Sequence, residues 1–134
     1  MVRIIHDADV QNWPKMPQVL NKAAARLQAQ HGEGSIPREA LMREVEMSGG
    51  YRRDSVIPSD YCYNVINKAP YSFQHPVLVR VERGRYKYVG PGYRYIGSVM
   101  WKPKGGAERQ VGTWSAGLCD LEMDPRQPST SSRR

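Results

Sequence analysis

The stretch Ser55-Val56-Ile57-Pro58-Ser59-Asp60-Tyr61-Cys62-Tyr63-Asn64-Val65-Ile66-Asn67 decides how this chain is read. Pro58 suits the first turn of a helix, where its missing N–H costs nothing, and Ser55 suits the cap before it. Pro70 ends the segment on the far side, because the residue before a proline is pushed away from helical geometry. The spacing therefore predicts a helix reaching about Asn67. On such a helix Cys62, Val65 and Ile66 share one side, while Asp60, Tyr63, Asn64 and Asn67 share the other. The second side consists of amides, a phenol and one carboxylate, which are hydrogen-bonding groups. An ordinary solvated face carries long charges instead.

Two further helices precede this one. Val19, Leu20, Ala23, Ala24 and Leu27 form one apolar stripe, predicting a helix over about 17–30 that starts at Pro17 and stops at Gly32 and Gly34. Leu41, Met42 and Val45 form the buried side of a second, over about 38–47, ended by Ser48-Gly49-Gly50. Downstream, Val77-Leu78-Val79-Arg80-Val81 and Tyr86-Lys87-Tyr88-Val89 read as paired strands, with Gly84 at the tip between them. An alternating run from Tyr93 to Lys102 predicts another strand. Lys102-Pro103-Lys104-Gly105-Gly106 turns the chain into a last strand around 109–114. From Asp124 onward Ser, Pro and Arg dominate, which predicts a disordered tail over 124–134.

Charge is segregated along the chain. Residues 50–104 hold 10 Lys+Arg against 3 Asp+Glu, whereas residues 1–49 and 105–134 are each balanced. The formal charge of +7 is the excess of that middle block alone. Such a block is the electrostatic signature of a polyanion-binding surface, and it contains the expected third helix and the hairpin tip. No apolar run is long enough for a bilayer span. Met1-Val2-Arg3-Ile4-Ile5-His6-Asp7 turns acidic too early for a signal peptide. A cytoplasmic protein, of a bacterial nucleoid or a phage-infected host, is the expectation. His6, His31, His75, Cys62 and Cys119 show no metal-ligand spacing, so neither a metal nor another cofactor is expected.

The order helix, helix, helix, hairpin from Pro17 to Val89 resembles winged helix-turn-helix DNA-binding domains. The stretch from Tyr51 to Asn64, with Gly84-Arg85-Tyr86-Lys87-Tyr88, is also similar to winged helix domains attached to bacterial restriction endonucleases. The resemblance implies an α+β winged helix over 1–90, with a β extension over 91–123 packed on it. It implies a non-enzymatic module for double-stranded DNA, methylated DNA included, whose third helix enters the major groove. Asn64 and Asn67 would pair with adenine edges, N6-methyladenine among them, and Asp60 would accept from a base amine. Tyr61 and Tyr63 would stack on a base or methyl group. Arg52 and Arg53, just before the helix, would meet a phosphate, and Ser55, Ser59 and Lys68 are further expected DNA contacts. Arg83, Arg85 and Lys87 on the wing would grip the backbone or reach into the minor groove. Lys102 and Lys104 would add a second grip, and Trp101, next to them at a strand end, is the tryptophan best placed to bind a methyl group.

Each assignment has a plainer counterpart. Tyr61 borders the apolar stripe and is equally read as core, and Asn67 is equally read as a helix C-cap. Asp60 at a first turn serves the helix dipole. Trp13 and Trp114 read as packing residues. Cys62 reads as a core thiol. Asp120, Glu122 and Asp124 alternate, but without a nearby lysine they read as a solvated acidic segment. The alternative to DNA binding is a protein-interaction adaptor that regulates a nuclease or polymerase.

Overall fold

The computed structural model describes residues 2–5, 8–52, 55–66, 75–103 and 105–121. Strand β1 (Val2–Ile5) is followed by helix α1 (Lys15–His31), which starts after Pro14 and stops at Gly32, where φ is 66°. Its buried residues include Leu20, Ala23, Ala24 and Leu27, the stripe that a 3.6-residue period requires. Strand β2 (Ile36–Pro37) leads into α2 (Arg38–Gly49), which buries Leu41, Met42 and Val45. Gly50 closes α2 in the left-handed region and donates its N–H to the Glu46 carbonyl.

The expected third helix does not form. Pro58–Tyr61 makes one 3-10 turn, and the chain then extends into β3 (Val65–Ile66). Among the described residues there are two α-helices and two sheets, so the three-helix winged helix is not the fold. Burial gives the reason. Tyr61, Cys62 and Val65 lie in a core under the helices, while Tyr63 and Ile66 lie in a second core on the other side. A surface helix buries one stripe, whereas a segment threaded between two cores must bury both faces. The extended form does this, and Tyr, Val and Ile favour it.

Strands β4 (Leu78–Glu82) and β5 (Arg85–Tyr88) form the hairpin, turning through Gly84 at φ 76°. With β2 they make a three-stranded sheet in the order β2-β5-β4. Strands β6 (Gly97–Trp101), β7 (Arg109–Ser115) and β8 (Leu118–Leu121) belong to a five-stranded sheet in the order β1-β8-β7-β6-β3. Its pairs are antiparallel except β3 against β6. The first and third strands of the chain thus share a sheet with the last three.

Segment 61–66 stitches the two sheets together. Val77 N–H donates to the Tyr61 carbonyl at 2.9 Å, and Tyr63 N–H donates to the Leu78 carbonyl at 2.8 Å, beside a parallel bridge between Cys62 and Leu78. The segment then leaves β4 for β6, where Met100 N–H donates to the Asn64 carbonyl at 2.9 Å and Val65 pairs with Met100. The second core is built around Trp114 and Tyr63, whose rings meet edge to face at 5.4 Å.

Candidate nucleic-acid interface

Where the segment crosses from one sheet to the other, an open cleft of about 780 Å³ remains between them. Its lining includes Ser59 from the 3-10 turn, Asn64 at the crossing, Arg80 and Arg83 from the hairpin, and Lys102 and Glu108 from either end of the β6–β7 connection. Val65, Ile66, Val81 and Glu82 complete it. Arg83 and Lys102 are exposed and make no ion pair among the described residues. Arg80 reaches across the gap: its terminal nitrogen donates to Glu108 Oε2 at 2.7 Å, joining one sheet to the loop of the other.

Four expected site residues therefore converge here, namely Ser59, Asn64, Arg83 and Lys102. Asn64 has a different task from the one its sequence position suggested. Its Nδ2 donates to the Arg80 carbonyl and its Oδ1 accepts the Arg80 N–H, both at 2.8 Å. The carboxamide acts as an extra rung along β4, so its bidentate edge is occupied and cannot pair with adenine. Asn64→Leu, close to it in size, is expected to cost about 1–3 kcal/mol, because both Arg80 backbone groups lose their partner. Chemical denaturation measures this. An unchanged midpoint would show that solvent replaces the rung.

Other expected contacts are committed to the fold. Tyr63 is fully buried, not exposed. Its hydroxyl donates to the Gly90 carbonyl at 2.9 Å and accepts from Tyr93 N–H at 3.1 Å, and burial raises its pKa above the usual phenol range. Tyr61 is buried in the core under the helices. Arg85 donates to the Ser35 hydroxyl at 2.7 Å and to the Ser35 carbonyl at 3.1 Å, tying the hairpin to the chain before β2. Ser55 caps no helix, and its hydroxyl donates to the Arg52 carbonyl. Trp101 is half-buried under the Arg109 guanidinium, 5.3 Å from its ring centroid. Asp60 sits in the 3-10 turn, Arg52 is exposed, and Lys87 is half-buried opposite Val79. None of these three lines the cleft. Arg53, Asn67, Lys68 and Lys104 lie outside the described residues.

Sequence reasoning missed Arg80 and Glu108. Arg80 interrupts an apolar strand, which was a usable signal. Glu108 lies 28 residues away in a segment with no local mark. Both thiols are buried, and burial raises the Cys62 pKa and pushes Cys119 up to about 12, which disfavours the thiolate. Among the described residues no cluster of three or more His, Cys, Asp or Glu has a metal-binding arrangement. None of the described helices is long and apolar enough to cross a membrane.

Residues 18–121 match a protein family described as "Domain of unknown function (DUF7225)". A Bacillus subtilis (strain 168) protein, "Uncharacterized protein YnaC", is 41% identical over 84 residues, covering 62% of this chain and 32% of the relative. The chain thus spans about a third of that relative's length. No solved structure matches.

Proposed function

The chain belongs to the DUF7225 family, and we propose that it is a non-catalytic module that holds double-stranded DNA by its phosphate backbone at the cleft between the two sheets. One observation carries this reading. The net positive charge is confined to residues 50–104, and Arg80, Arg83 and Lys102 of that block converge on one open polar groove. Arg83 at the hairpin tip and Lys102 beyond β6 make the first contacts, since both cations are exposed. Contacts of this kind position a duplex without reading it. Base reading through Tyr63 and Asn64 forms no part of the proposal, because both side chains are held by the protein itself. Methylated adenine is accordingly given no special place.

Titration of a fluorescent duplex at several salt concentrations tests the proposal. Binding is expected to weaken as salt rises, with log K falling linearly against log salt at a slope of about −0.9 per phosphate contact. Two to three contacts predict a slope of roughly −2 to −3. Absence of binding at about 10 mM salt, where Debye screening is weakest, would remove the DNA reading and leave the adaptor reading.

A further inference from the structure

Resting on the DNA reading, we propose that Glu108 is a built-in stand-in for a backbone phosphate: it occupies Arg80 in the free protein and is displaced when a phosphodiester enters the cleft. The pair has the features such an exchange needs. The backbone that carries Arg80 is fixed at the cleft, because its N–H and carbonyl are both clamped by the Asn64 carboxamide. The Arg80 guanidinium reaches from β4, at the edge of the three-stranded sheet, to Glu108 just before β7, and both residues line the groove. The side chains remain 26% and 35% exposed, so water screens the pair and it is weakly held. A carboxylate and a phosphodiester both present two oxygens to a guanidinium fork, and one can replace the other without changing the charge on Arg80.

Glu108 is also well placed to leave. It precedes β7 at the end of a connection that contains Gly105 at φ 76° and Gly106. Once released, its charge stays near the groove beside Glu82, the other acid of the lining. A single phosphate therefore gains little by displacing it. A duplex that already touches Arg83 and Lys102 carries further phosphates along the same strand, and its backbone enters with the anchoring supplied. The carboxylate thus discriminates against isolated anions and favours an extended polyanion.

The test is a double-mutant cycle read by duplex titration at about 0.1 M salt, comparing wild type, Glu108→Gln, Arg80→Gln and the double variant. Glu108→Gln is expected to bind duplex roughly fivefold tighter, as it removes a partner that must otherwise be broken. Arg80→Gln is expected to bind more weakly than wild type. In the Arg80→Gln background, Glu108→Gln is expected to give a much smaller gain. An equal gain with and without Arg80 would overturn the proposal, leaving Glu108 as general negative charge. So would an Arg80→Gln protein that binds as tightly as wild type. In both cases binding by the wild type would still uphold the DNA reading, whereas failure of the wild type to bind would remove both. Circular dichroism confirms folding of each variant. If Glu108→Gln does not fold, Glu108→Asp withdraws the carboxylate by one methylene and makes the same comparison.

Discussion

A protein carrying both Arg83→Glu and Lys102→Glu is expected to lose duplex affinity by on the order of 100-fold at about 0.1 M salt. Each phosphate contact made by a cation releases condensed counterions, which is worth roughly tenfold at that concentration. Losing two contacts accounts for the estimate, and the reversed charges add repulsion. The salt slope is expected to become shallower by about 2. Stability should hardly change, because both side chains are exposed and form no ion pair among the described residues. The matched control is Lys15→Glu with Lys22→Glu, which reverses two exposed charges on α1 and alters the net charge equally. If the control loses as much affinity, the interaction is with the molecule's overall charge and the cleft is not the site.

The largest effect on stability is expected from Trp114→Ala, at about 3–5 kcal/mol, or a fall in Tm of roughly 10–20 °C. Trp114 is 1% exposed and lies on β7 between β6 and β8. Its ring supports Tyr63, and Tyr63 holds the loop at Gly90 and Tyr93 through its hydroxyl. The neighbouring strands cannot close over the gap freely. At Gly112, two residues before Trp114, an added Cβ would already lie 2.6 Å from the Asp120 carbonyl oxygen, so β7 and β8 are in contact. Trp114→Phe, which keeps an aromatic ring, is expected to retain a large part of the stability. Thermal unfolding of the two variants checks this, and a small loss for alanine would mean that the second core contributes little.

The connection between sequence and site is uneven, for physical reasons. The exposure of Arg83 and Lys102 is legible because each stands at a glycine- or proline-marked turn. Tyr63 and Asn64 were misplaced because a helical wheel assigns faces by one period, while this segment follows two sheet edges in succession. The bond from Arg85 to Ser35 is not legible in the sequence, because the two are 50 residues apart. The cleft itself has no sequence signature, since its walls come from the hairpin, the crossing segment and the β6–β7 connection.

By itself the sequence determined both α-helices, the hairpin and the confinement of positive charge to residues 50–104. These depend on spacing, on glycine and proline at turns and on composition, all of which act over a few residues. Only the tertiary structure decided that 61–66 is extended, that β1 pairs with β8 at the opposite end of the chain, and that Arg80 meets Glu108 across a groove. Each of those outcomes turns on which surfaces are buried from both sides at once, and two-sided burial exists only when distant segments have packed.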